Sequence, residues 1–130
     1  IGMTSSYYNG ENDVRELVRL LTGAGYEVRH VFGCDMPPES IGDLSQAELN
    51  IVVHDELGLP AVKYIEERCG TPYIAPLPPY GRAGTRRWLA AIFAALPPMR
   101  GDDAIAEIDE AERRDFLRIN DLKNTWGASL

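Results

Sequence analysis

The sequence predicts a three-layer α/β fold, in which helices cover both faces of a parallel sheet of about four strands. Two observations support this prediction. Short β-rich runs alternate along the chain with amphipathic helical segments, and the run "LNIVV" is apolar almost throughout. Strands that are separated by helices need crossover connections and therefore run parallel. A continuous apolar strand suits a sheet that is covered on both faces.

The predicted elements follow this alternation from residue 1 to residue 100. Val14, Leu17, Val18 and Leu21 recur with helical spacing, and Gly25 ends that helix. The predicted strands are "IGM", "YEVRHVF", "LNIVV" and "TPYIA", and the helices after the first are "SIGDLSQAE", "LPAVKYIEERCG" and "TRRWLAAIFAAL". Pro97 and Pro98 end the last of these helices. This order is typical of Rossmann-like and flavodoxin-like folds.

Residues 101–130 form a separate segment, which we predict to be a long charged helix. Its apolar stripe (Ile105, Ile108, Ile119 and Leu122) is sparse for a core helix. We therefore expect it to pack on a neighbouring domain or subunit. The chain also begins with Ile1, inside a predicted strand, which leads us to expect a domain from a longer protein.

Composition excludes several classes of protein. The chain has 130 residues, a net charge of −7, 45% hydrophobic and 25% charged residues, which is typical of one globular domain. An acidic chain is a poor binder of phosphate backbones, so we expect no nucleic-acid partner. No run reaches the roughly 20 apolar residues of a membrane span. Two cysteines, Cys34 and Cys69, are too few for a disulfide framework, so we expect a cytoplasmic protein. Cys69 is expected in the core.

The common catalytic and nucleotide-binding motifs are absent. The chain has no G-x-G-x-x-G loop, no Walker sequence, no G-x-S-x-G elbow and no H-x-x-x-H or C-x-x-C pair. A self-contained metal site is therefore not expected.

The polar residues that remain fall at one predicted edge. Ligands of open parallel sheets bind outside the carboxyl ends of the strands. The candidate residues there are Ser5, Ser6, Cys34, His54, Asp55 and Tyr80. His54 can ligate a metal or donate a proton, but it can equally be satisfied by a backbone carbonyl or by Asp55. The serines can cap a helix, and Cys34 can be a small apolar residue. The residues alone favour these structural roles.

Residues 46–92 resemble the nitrogenase component 1 and nitrogenase-like oxidoreductase family. The similarity rests on an A-x-x-N strand (Ala47 and Asn50), the stretch from Glu66 to Pro72, a P-x-G turn (Pro79 to Gly81) and the stretch from Thr85 to Leu89. Residues 1–28 resemble the strand and helix that open the middle domain of these subunits. The resemblance thus covers nearly the whole chain.

The resemblance implies a function for the parent protein. Family members accept electrons from an ATP-driven iron–sulfur reductase and reduce a small molecule or tetrapyrrole, or assist metallocluster assembly. They surround an iron–sulfur-type metallocluster or a tetrapyrrole with several α/β domains and work with a homologous partner subunit. We expect the parent to be an oxidoreductase, whereas the isolated domain should hold no cofactor and be inactive.

The resemblance also favours His54 as a site residue. In the cofactor-binding members, a cysteine ligand stands four residues after the strand asparagine, and His54 takes that place after Asn50. We predict that His54 faces the bound group as metal ligand or proton donor and that Asp55 orients it. Ser5, Ser6, Cys34 and Tyr80 would line the same edge. The alternative is a non-catalytic α/β module for ligand binding or subunit contact.

Overall fold

Four helices and a two-stranded sheet make up the part of the chain that the computed structural model describes, residues 10–32, 42–43 and 45–127. The elements are α1 (Gly10–Gly23), β1 (Asn50–Ile51), α2 (Asp55–Cys69), β2 (Tyr73–Ile74), α3 (Gly81–Ala95) and α4 (Gly101–Gly127). The four longest predicted helices are therefore confirmed. In the predicted short helix, only isolated 3₁₀ turns occur, at residues 42–43 and 45–46.

The sheet consists of β1 and β2, which run parallel and are joined by α2. Asn50 aligns with Tyr73, and Ile51 with Ile74. The Asn50 amide donates to the Pro72 carbonyl, and the Val52 amide donates to the Ile74 carbonyl, both at 2.9 Å. Because β1 and β2 are parallel neighbours, their carboxyl ends lie at the same edge, where His54 and the loop of residues 75–80 follow.

The prediction of a four-stranded, three-layer Rossmann-like or flavodoxin-like sheet was wrong. Within the described residues, the sheet has two strands, and residues 26–31 belong to no strand. Tyr26 is instead bound to helix ends: its amide donates to the Leu21 carbonyl at 3.0 Å, and its hydroxyl donates to the Leu96 carbonyl. A β-rich run becomes a strand only where another strand accepts its hydrogen bonds. The strand predicted at residues 1–3 lies outside the described part.

The core lies mainly between helices. The core residues come from α1, α3 and α4 and are Leu20, Leu21, Trp88, Leu89, Ile92 and Ile108. Trp88, Leu89 and Ile92 are at most 1% exposed. Gly25 ends the turn after α1 with φ 93°, and the Arg100 amide donates to the adjacent Ala24 carbonyl at 3.0 Å. This bond ties the end of α1 to the start of α4.

The first half of α4 packs on the body of the domain, and the second half does not. Ala104 and Ile108 are buried, whereas Ile119 and Leu122 are about half exposed. Arginines of α3 pair with acids of α4: Arg86 with Asp109 and Glu112, and Arg82 with Asp115. Exposed ion pairs contribute little to stability, so the main effect of these pairs is to fix the alignment of the two helices. In the part of the chain that the structure describes, no helix is both long and apolar enough to cross a membrane.

Cys69 is exposed at the end of α2, so its predicted place in the core was wrong. The buried residues of this helix are Gly58 and Val62, and Gly70 ends it with φ 75°. The helical spacing that groups Ala61, Ile65 and Cys69 is real, but no element in the described part of the chain covers the last turn of that face.

Candidate functional site

A cavity of about 460 Å³ opens where the strands end, and two of the predicted site residues, His54 and Tyr80, line it. Its walls come from α1, from the end of β1, from the loop before α3 and from α4. The lining residues are Asp13, Glu16, Leu17, Arg19, Leu20, Val53, His54, Pro78, Pro79, Tyr80, Arg82, Thr85, Glu107, Ile108, Ala111 and Arg114. This volume lies within the range of small-molecule sites in proteins.

The backbone fixes the position of His54. This residue precedes α2 in an extended conformation (φ −126°, ψ 118°), and its side chain makes no capping hydrogen bond to the helix. Its carbonyl instead accepts the amides of Leu57 at 3.2 Å and Gly58 at 2.9 Å. Because the helix start rests on the carbonyl, the half-buried imidazole stands at the end of β1 and lines the cavity.

Tyr80 occupies the corresponding place before α3. It is also extended (φ −77°, ψ 123°), and its side chain makes no cap to α3. Gly81 follows with φ 64°, and a Cβ on Gly84 would lie 3.3 Å from the carbonyl carbon of Pro79. This close approach holds the proline loop against α3 and leaves the Tyr80 ring 75% exposed at the cavity.

The cavity walls contain paired charges that sequence analysis did not identify as part of a site. Arg19 bonds Glu16 at 2.8 Å and also pairs with Glu107 of α4. The hydrogen bond from Arg19 lowers the pKa of Glu16, and the hydrogen bond from Glu16 raises the pKa of Arg19. This part of the wall therefore stays ionised at neutral pH. Arg82 is likewise paired, with Asp115.

The amino ends of two helices also lie beside the cavity, since His54 precedes α2 and Tyr80 precedes α3. Helix amino ends carry partial positive charge. The first turn of α2 contains Asp55 and Glu56, whereas the first turn of α3 contains no acid. The field on the α3 side therefore favours an electron-rich group.

The other predicted site residues have separate outcomes. Asp55 is exposed as the first residue of α2 and is not among the lining residues of this cavity. Its predicted orientation of His54 stays a prediction. Ser5, Ser6 and Cys34 lie outside the described residues. Arg19, Arg82, Glu107 and Arg114 were missed because they come from helices whose packing is not visible in local sequence patterns.

A larger cavity, of about 530 Å³, lies next to α1 and β1 and contains neither His54 nor Tyr80. It is lined by His30 and by two buried residues, Asn50 and Trp88. In the described part of the chain, Asn50 Nδ2 and Trp88 Nε1 have no acceptor. We assign the candidate site to the smaller cavity because it lies at the carboxyl ends of the parallel strands, where ligands of such sheets bind.

The described residues do not by themselves build a metal centre. No group of three or more His, Cys, Asp or Glu side chains is arranged there to hold a metal ion. His54 can supply one ligand. The proline loop and the Tyr80 ring offer an apolar wall for a flat organic group. The donor set thus fits one contribution to a site that is shared with other parts of a protein.

Comparison with known proteins identifies the family. The family model described as "Nitrogenase component 1 type Oxidoreductase" matches residues 4–124. The chain belongs to this family, as the resemblance in the sequence indicated.

Curated relatives include one of the subunits of light-independent protochlorophyllide reductase, from several organisms. The chain is 33% identical to that of Picosynechococcus sp. over 96 residues, which are 74% of the chain and 19% of the relative. It is 35% identical to that of Zygnema circumcarinatum over 92 residues, 71% of the chain and 18% of the relative. The chain therefore spans about a fifth of the length of these relatives. No solved structure matches it significantly.

Proposed function

We propose that the chain is one domain of a nitrogenase-like oxidoreductase component, and that its cavity forms part of the site where a tetrapyrrole or another small molecule is reduced. The observation that carries this proposal is the placement of His54 and Tyr80 at one cavity, at the strand ends. Family membership and the similarity to protochlorophyllide reductase subunits give the reaction class.

In this proposal, His54 faces the bound group. An imidazole can donate a proton to a substrate that receives electrons, and it can also ligate iron. Tyr80, Pro78 and Pro79 supply the apolar surface on which a planar ring would lie. A metallocluster or tetrapyrrole bound in the parent would supply or accept the electrons, and Asp55 would orient His54 from the start of α2.

The partners follow from the family. Electrons would come from an ATP-dependent iron–sulfur reductase, and a homologous subunit would complete the site. Further domains of the parent would supply the remaining ligands, because the described residues provide no set of three. We therefore expect the isolated domain to be catalytically inactive, as a site needs its whole supporting shell.

The two histidines of the chain allow a matched test. The full-length parent is purified without oxygen as wild type, His54→Ala and His30→Ala, and its iron content and visible spectrum are measured. Binding of protochlorophyllide is then followed by absorbance. His30 lies at the other cavity, 3.7 Å from Asp43, and serves as the control.

The proposal expects His54→Ala alone to lose or shift the bound chromophore, or to weaken protochlorophyllide binding at least tenfold. Unchanged iron and unchanged binding in His54→Ala would place the site elsewhere. A parent without iron, colour or protochlorophyllide binding would instead favour the alternative, a non-catalytic ligand-binding or subunit-contact module. The exposed end of α4 is the observation that supports a contact role.

A further inference from the structure

One face of α4 is buried near its start and uncovered near its end. Ile108 is 8% exposed and belongs to the core, whereas Trp126 is 75% exposed. The two residues are 18 positions apart, which is five full turns of about 3.6 residues, so they point in the same direction from the helix axis. The face that packs on the domain therefore continues, uncovered, to the end of the helix.

The change occurs where α3 begins. Arg86 pairs with Asp109, and Arg82, the second residue of α3, pairs with Asp115, so the two helices run antiparallel. Beyond Asp115, α4 extends past the start of α3. We name residues 116–127 the tail. It is about 18 Å long at about 1.5 Å per residue.

The tail carries an apolar stripe along this face. Phe116 is 62% exposed, Ile119 51%, Leu122 53% and Trp126 75%. Ile119, Leu122 and Trp126 are separated by three and four residues, which is the spacing of a helix seam that packs against another helix. Large side chains that are uncovered together on one face indicate an interaction surface.

We propose that the tail pairs antiparallel with the tail of a second copy of this chain. A stripe on a single helix is self-complementary about a twofold axis, because each copy offers what the other lacks. Two tails of equal length then cover each other completely.

The area supports a weak but specific dimer. Four side chains of this size and exposure leave about 500 Å² of apolar surface on each copy, since an aromatic side chain alone can bury about 150–250 Å². A symmetric pair would therefore bury about 1,000 Å² in total. This is close to the smallest area of specific protein interfaces, so we expect dissociation near 10 µM.

The geometry favours antiparallel over parallel pairing. The tail projects beyond α3, so an antiparallel pair places the two domain bodies at opposite ends of the seam. A parallel pair would bring the bodies side by side. Each copy has a net charge of −7, and like charges repel at close range.

Sedimentation equilibrium of the 130-residue chain, from about 1 to 100 µM, tests the proposal. The mass should rise from 14.4 kDa towards twice that value with concentration. Acrylamide quenching of tryptophan gives a second measurement, because Trp126 is exposed and Trp88, the other tryptophan, is 1% exposed. Quenching should fall by about half in the dimer.

Matched variants separate the tail from general stickiness. Leu122→Asp should remain monomeric throughout, whereas Leu77→Asp, on the loop before α3 and 78% exposed, should dimerise as the wild type does. Circular dichroism checks that both variants are folded. A wild-type chain that stays monomeric with fully quenchable Trp126 would overturn the proposal and assign the tail to another part of the parent. A dimer that survives Leu122→Asp would overturn it as well.

Discussion

Replacing Ile108 with alanine should strongly destabilise the chain, because Ile108 connects α4 to the core. It is 8% exposed and lies in one cluster with Leu20, Trp88 and Leu89. An Ile→Ala change in a core costs about 2–5 kcal/mol, through lost burial and the cavity that remains. Residual exposure and the position at the edge of the cluster place the expected loss in the free energy of unfolding at about 2–3 kcal/mol.

The same substitution at Ile119 provides the control. Ile119 lies on the same face of α4, eleven residues later, and is 51% exposed. Ile119→Ala should change the free energy of unfolding by about 0.5 kcal/mol or less. Both variants keep the same helix propensity change, so the difference between them reports packing alone.

Urea unfolding followed by circular dichroism measures both variants. With a slope of about 1.5–2 kcal/mol/M, Ile108→Ala should lower the midpoint by about 1–2 M, and Ile119→Ala should barely move it. The measurement is made at a concentration at which sedimentation shows a monomer, so that the tail is uncovered. Equal shifts for the two variants would refute the docking of the first half of α4 on α1 and α3.

Three further predictions concern single positions. Gly25→Ala should lower the free energy of unfolding by about 2 kcal/mol and Gly70→Ala by about 1 kcal/mol, because both have positive φ but only at Gly25 would a Cβ meet another side chain, Met99, at 3.1 Å; equal losses in urea unfolding would contradict this. Because the pKa of Glu16 is lowered in the fold, its contribution to stability is present above pH 4.5 and lost as pH falls below it, so acid unfolding of Glu16→Gln should be less steep than that of the wild type; identical pH profiles would argue against the ion pair. Cys69 should react with a thiol reagent in the native chain at nearly the rate of the urea-unfolded chain, and strong protection of Cys69 would contradict its exposed position.

The helices were predictable because their signals are local. The spacing of Val14, Leu17 and Leu21 identifies α1, Gly25 and Gly70 end α1 and α2, and the prolines after residue 96 end α3. The sheet was not predictable in the same way. Whether residues 26–31 form a strand depends on a neighbour that is distant in sequence, and the structure binds Tyr26 to helix ends instead.

The site was predictable in part, for the same reason. His54 and Tyr80 directly follow or approach strand ends, so their common edge can be inferred from the order of elements. The walls from α1 and α4 cannot, because the contact of Arg19 with Glu107 joins residues 88 positions apart. Cys69 shows a related limit: helical spacing defines a face, but not how far along the helix that face is covered.

The way α2 begins has a consequence for how this family can change over evolution. The helix start depends on the carbonyl of residue 54, which any amino acid supplies equally well. Exchanging the side chain at that position therefore alters the chemistry presented to the cavity while leaving the backbone scaffold in place. A histidine here, where cofactor-binding relatives carry a cysteine, is an exchange that selection on reactivity can make without first compensating for lost folding.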